Sequence, residues 1–314
     1  MKNKRTNLEI LEIGGSLLVA ILAPGVVYAC ACGCGIFDVG GSEMLPSGPG
    51  GAAYVQYDYM DQNRNWSGTS ESPAANNDDK RIESHFTTAG LQYMFNRRWG
   101  VEAEVPYTFR SFKGTDDATG QVALHSWSGL GDIRLRALYT GFSEDMSSGV
   151  SLGLKLPTGS FHEDTALVDR DTQIGTGSTD ILFGGFYRGN LGRLPQWEWF
   201  AQFQLELPAF TQDHYRPGIE FDSAVGVDYT GLSLGQVQIS PLAQVLFSDR
   251  ASDSGTDADP DNTGYQRILL SPGVEFHIHP VKIYADAEVP VFQNVTGNQL
   301  IARVLFKVSA AFQF

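Results

Sequence analysis

From about residue 52 to the end of the chain, side-chain character repeats every two positions, and few folds accept that period over so long a run. The last segment shows it most clearly. Val304, Phe306, Val308, Ala310, Phe312 and Phe314 alternate with Arg303, Lys307, Ser309 and Gln313. Successive side chains on a strand point to opposite faces, so this segment has one apolar face and one polar face. The same pattern sets Val281, Ile283, Ala285, Ala287, Val289 and Val291 against Lys282, Tyr284, Asp286, Glu288 and Pro290. It also sets Ile133, Leu135, Ala137 and Tyr139 against Asp132, Arg134 and Arg136. Marking every such run predicts strands at 52–61, 81–95, 99–111, 128–142, 149–158, 178–190, 197–208, 219–230, 234–248, 265–278, 281–292 and 299–314. Most reach the roughly 9–11 residues that a tilted membrane strand needs.

The connections between these runs alternate in length. Short links fall at 96–98, 143–148, 191–196, 231–233 and 279–280, and longer ones at 62–80, 112–127, 159–177, 209–218, 249–264 and 293–298. Short turns at one end and long loops at the other mark an up-and-down barrel in an outer membrane. The expectation is therefore an all-β chain: a transmembrane up-and-down antiparallel β-barrel of about 12 strands, with short periplasmic turns, long acidic surface loops and both termini in the periplasm. A soluble sandwich or lipocalin-like barrel would alternate equally well, with its apolar face turned inward. Charges at mid-strand (Arg134, Lys155, Glu206, Asp286) and aromatics near strand ends (Tyr107, Trp197, Phe314) favour the membrane form.

Residues 1–29 read as a signal peptide. Lys2, Lys4 and Arg5 precede an apolar run broken by Pro24 and Gly25, and Val27-Tyr28-Ala29 supplies a cleavage site. Residues 30–51 then form a periplasmic, Cys-rich N-terminal segment, and 52–314 the barrel. Removing the signal's three basic and two acidic residues from totals of 22 and 36 leaves a net charge of −15, which excludes a nucleic-acid partner. Sixteen acids against six bases in residues 61–80, 112–127, 159–177, 209–218 and 249–264 point to contact with lipopolysaccharide through divalent cations. Asp257-Ala258-Asp259-Pro260-Asp261-Asn262 begins like a calcium loop, but it lacks the sixth-place glycine and carries Ile268 at the twelfth place.

Two sets of residues are candidates for function. The first is the polar face, which would line the lumen: Glu104, Arg134, Arg136, Lys155, Glu206, Asp286, Glu288, Arg303 and Lys307. Glu104-Val105-Pro106, Glu206-Leu207-Pro208 and Glu288-Val289-Pro290, with Lys155-Leu156-Pro157, would close four outward strands, since proline has no amide to continue a ladder. Their carboxylates could ring the outer mouth and filter charge, or simply cross-link a narrow bore. The second set is Cys30, Cys32 and Cys34, whose thiolates suit a soft metal. His277 and His279, at a predicted periplasmic turn, could complete such a site. Lipidation of Cys30 and thiol–disulfide exchange are competing readings. Nothing places a nucleophile beside a base, so no enzyme is expected.

The terminal Lys307-Val308-Ser309-Ala310-Ala311-Phe312-Gln313-Phe314 resembles the C-terminal assembly signal of bacterial outer-membrane proteins. Gly129-Leu130-Gly131-Asp132, followed by Ile133-Arg134-Leu135-Arg136-Ala137-Leu138-Tyr139, is similar to a glycine–aspartate strand start in the family named for the MetA-pathway of phenol degradation. Leu154-Lys155-Leu156-Pro157-Thr158-Gly159 resembles that family's strand-to-loop exit, and Gly177-Ser178-Thr179-Asp180-Ile181 repeats the start. The resemblance implies an outer-membrane channel or transporter for small solutes, aromatic or other apolar compounds among them. The alternatives are a metal-handling or redox-coupled barrel that meets a periplasmic protein through its cysteines, and a structural surface protein.

Overall fold

The computed structural model describes residues 35–41, 45–116, 119–163 and 167–314. The proposed signal peptide and Cys30, Cys32 and Cys34 lie outside the described residues. Every predicted strand is present. They are β1 (Gly50–Gly68), β2 (Asp79–Met94), β3 (Trp99–Thr115), β4 (Val122–Leu130 and Ile133–Tyr139), β5 (Ser148–Leu156), β6 (Ser178–Leu191), β7 (Leu194–Thr211), β8 (Glu220–Tyr229), β9 (Val237–Arg250) and β10 (Tyr265–Ile278), followed by the long element Val281–Gln313. Each strand pairs antiparallel with the next in sequence, and β1 pairs with the last element to close the ring.

A closed ring of wholly antiparallel neighbours needs an even number of strands, and the final element resolves the count. Its first part pairs with β10 and its second with β1, and Val295 lies opposite both Tyr265 and Gly68. The element therefore doubles back near Val295, with Gly297 at φ +63° in the turn. It supplies β11 (281–295) and β12 (298–313), and the circuit has twelve strands among the described residues.

The two faces are assigned by burial. Val55, Leu91, Val101, Leu152, Val225, Val308 and Phe312 are exposed on the outside, whereas Asp58, Gln62, Arg136, Lys155, Gln204, Gln244 and Lys307 are buried within. A soluble barrel would show the reverse, so the outer surface suits lipid. Aromatic pairs crowd the short-turn end, as an interface girdle does: Tyr93–Phe95 at 5.5 Å, Trp99–Tyr139 at 4.7 Å and Trp197–Tyr229 at 5.0 Å between centroids.

Two local expectations are corrected. First, the strands run farther than predicted at the long-loop end. β1 continues to Gly68 and β3 to Thr115, so the connections shrink to 69–78 and 116–121. Beyond the bilayer both faces meet water, the period-two signal fades, and cross-strand pairing alone extends the ladder. Second, three of the four prolines do not end strands. Pro208 and Pro290 sit at register shifts, and Pro106 faces the break in β4, where its carbonyl accepts the Gly131 amide at 2.8 Å. Each occupies a point where the missing N–H leaves no ladder bond broken. Pro157 alone follows a strand end.

Candidate functional site: the bore and its N-terminal segment

Inward positions on neighbouring strands stack at matched register, so the charge pattern along each strand becomes charge pairing across the wall. Glu104 lies opposite Arg134, Glu102 opposite Arg136, Arg134 opposite Lys155, and Lys155 opposite Asp180. Arg136 contacts Glu104 at 2.6 Å and Glu102 at 3.3 Å, and its second terminal nitrogen reaches Gln204 on β7 at 2.9 Å. The Tyr54 hydroxyl donates to Glu104 at 2.8 Å. Lys155 pairs with Asp180 and Glu206 together. Lys307 lies 3.9 Å from Glu288, which is fully buried. Asp286 accepts from Ser271, Tyr284 and Gln244.

These contacts place the predicted lumenal residues. Glu104, Arg134, Arg136, Lys155, Glu206, Asp286, Glu288 and Lys307 all face inward. The carboxylates of Glu104, Glu206 and Glu288 do not form an open ring, because each lies against a cation. Arg303 is a correction: it is exposed on the outside. Ala302 and Leu305 are both buried opposite Gln62 and Met60, and the extra residue between them throws Arg303 out of phase. His277 buries its Nε2 and His279 is exposed in the turn. In the Asp257–Asn262 loop, Asp259 accepts from the Asn262 side chain at 2.7 Å, and the Asn262 oxygen accepts the Asn298 amide at 2.9 Å.

Sequence reasoning missed two parts of the bore. Residues 35–41 do not hang below the barrel but run inside it. Phe37 and Val39 are buried against inward apolar side chains. Asp38 contacts Arg134 at 3.1 Å and accepts from Gln204 at 2.7 Å. Lys307 donates to the Val39 carbonyl at 2.6 Å, and Gln244 accepts the Gly41 amide at 2.8 Å. The only signal in the sequence was Phe37-Asp38-Val39, an apolar–acid–apolar triplet too short to assign a face. The second part is the 159–177 loop, which folds into the mouth. Arg110 donates to the carbonyls of Thr172 and Gln173, and Val168 packs with Ile82, Phe112, Trp127 and Leu300. Arg110 shares the inward parity of Glu102 and Glu104 and was legible on that ground.

Between the N-terminal segment and this loop lies a cavity of about 250 Å³. Its wall mixes Arg134, Arg136, Lys155, Glu206, Glu220 and Arg250 with Phe37, Phe86, Leu138 and Phe203. The space can hold a small solute that meets both charge and apolar surface.

Comparison with solved structures places the fold among outer-membrane barrels. An outer membrane channel from Pseudomonas putida F1 aligns with 88% of this chain and 100% of its own, at 14% identity and a TM-score of 0.64. The β domain of the Bordetella autotransporter BrkA aligns with 84% of this chain and 100% of its own, at 13% identity and a TM-score of 0.50. No curated protein sequence matches the chain. Residues 67–290 match the family described as the putative MetA-pathway of phenol degradation, and this outer-membrane β-barrel belongs to that family.

Proposed function

We propose that the protein is an outer-membrane channel for small solutes, with aromatic and other apolar compounds as its principal cargo. The short turns and both ends face the periplasm, and the long acidic loops face the outside, where they meet lipopolysaccharide through divalent cations. The observation that carries the reading is the bore cavity, enclosed by a lipid-facing barrel and bounded by two well-packed elements, the N-terminal segment and the 159–177 loop. The family to which the chain belongs takes its description from phenol degradation, and the Pseudomonas putida structure is described as a channel. Both support transport over a purely structural role. Lumenal charges of both signs, Arg134, Arg136 and Lys155 against Glu104 and Glu206, would screen ions while letting neutral solutes pass.

Uptake in cells tests this. A strain lacking the gene should take up phenol and toluene more slowly than its parent at limiting solute, and a plasmid copy should restore the rate. Equal initial rates in all three strains would remove the proposal.

A further inference from the structure

At matching places on neighbouring strands, polar inward columns are interrupted by an apolar residue. Met60 stands between Asp58 and Gln62, Leu246 between Gln244 and Ser248, and Leu269 between Arg267 and Ser271. With Phe86, Phe200, Ala224, Ala302 and Leu305, these residues make one apolar cluster drawn from seven strands. No such belt is needed to close a barrel, and left bare in a polar bore it would expose apolar surface to water. In the structure Phe37 and Val39 cover it, at 5% and 2% exposure. The Phe37 ring lies 5.9 Å from Phe86 at 52°, and the Arg110 guanidinium lies 5.7 Å from the centre of the same Phe86 ring. The belt thus has an aromatic seat with a cation beside it.

The covering segment is held in a way that permits release. Among the described residues, its polar contacts with the wall run through wall side chains: Gln56 donates to the Phe37 carbonyl, Gln204 and Arg134 hold the Asp38 carboxylate, Lys307 donates to the Val39 carbonyl, Gln202 donates to the Gly41 carbonyl, and Gln244 accepts the Gly41 amide. None is a rung of the β-ladder, so the segment can leave without opening the barrel. Its departure would bare the belt and extend the cavity that already touches Phe37.

We propose that the belt around Met60, Phe86, Leu246 and Leu269 is the binding site for an apolar, ring-bearing solute, and that Phe37 and Val39 occupy it as an internal competitor. This deepens the channel reading and rests on it. A solute entering the belt takes the place of the Phe37 ring against Phe86 and displaces the segment, so binding and opening are one event. A site whose competent state is only partly populated binds more weakly by that fraction, and removing the competitor restores the intrinsic affinity.

The test uses the full-length protein in detergent, with naphthalene as the probe and its fluorescence as the readout. Heat-modifiable gel migration verifies that each variant is folded. Phe37→Ala with Val39→Ala should bind naphthalene at least about tenfold tighter than the unaltered chain, because the competitor is gone. In that background Phe86→Ala, or Leu246→Asn should Phe86→Ala fail to fold, should reverse the gain. A peptide of residues 35–41 added in trans should displace the probe. Unchanged or weaker binding by the double variant overturns the proposal, as does a belt variant with no effect or a peptide that does not compete. Cellular uptake is measured separately. If uptake depends on the gene while these binding results fail, the channel reading stands and the belt assignment falls.

Discussion

Thr176 donates twice to one carboxylate oxygen of Asp132, from its amide at 2.8 Å and from its hydroxyl at 2.7 Å. The other oxygen of Asp132 accepts the Gly159 amide at 2.9 Å. One side chain therefore ties down both ends of the 159–177 loop. Gly159 and Gly175 pack so closely there that a Cβ on Gly175 would lie 2.2 Å from the Gly159 carbonyl oxygen. The three short motifs at residues 129–132, 154–159 and 177–181 converge on this node, which seats the loop in the mouth of the bore.

Asp132→Ala should release that seat. Losing charge-assisted bonds to buried amides costs about 2 kcal/mol. Exchange of the Gly159 and Thr176 amides should then speed up by roughly 30-fold, since local opening sets the rate. Thr176→Val should cost less, and adding it to Asp132→Ala should cost almost nothing further, as expected for partners in one interaction. Amide exchange by mass spectrometry checks both, and planar-bilayer conductance should rise in the Asp132 variant.

The loop should also loosen as the pH rises. Burial pushes the Asp171 carboxyl from 3.8 up to about 7; the Asp253 carboxylate adds to the shift and Arg250 opposes it. The folded loop thus holds this proton more tightly than the open one. Its seat is strongest below about pH 4 and weakens as the pH climbs, with the loss complete above about pH 7. The slope is at most about tenfold in the opening equilibrium per pH unit. Amide exchange of residues 167–176, corrected for intrinsic rates, should follow this curve, and Asp171→Asn should flatten it.

Lys155→Met should be among the most destabilising single changes in the wall. It leaves Asp180, which is fully buried, and Glu206 facing each other without their shared cation. Removing one partner of such a group costs about 3–5 kcal/mol. The triple variant Lys155→Met, Asp180→Asn, Glu206→Gln should recover most of that, because no uncompensated charge remains. Urea unfolding in detergent or lipid, followed by tryptophan emission, provides the measurement.

Charge selectivity should be modest and cationic. Eight carboxylates and six cations line the cavity. Glu102→Gln with Glu104→Gln removes both carboxylates that pair with Arg136 and brings the lining to six of each sign. The cation-to-anion permeability ratio should fall by about twofold or more. Reversal potentials in a potassium chloride gradient read it directly, and a ratio that does not move would show that ions bypass this rung.

Strand number, up-and-down order and the face turned to lipid were all legible in the chain itself. Each depends on local chemistry: a period of two places Val308 and Phe312 on one side and Lys307 and Ser309 on the other, whatever the neighbours do. Phase errors arose where the period slips. The extra residue between Ala302 and Leu305 sent Arg303 outside, and no propensity in Ile301-Ala302-Arg303-Val304 announces it. Pro208 and Pro290 read as strand ends because a missing amide looks alike at a terminus and at a bulge.

What only the tertiary structure decided is what fills the bore. The alternation of residues states that Arg134, Lys155 and Glu206 point inward, but not that Asp38 would meet Arg134 there. That contact joins residues 96 positions apart, through a segment too short to carry a period of its own. The long loop at 159–177 was visible by its length, yet its fold into the mouth depends on Asp132 and Arg110, supplied by other strands. Periodicity encodes the wall because each wall residue answers to its own strand. The contents of the bore answer to all twelve strands at once, and that information exists only when the ring is closed.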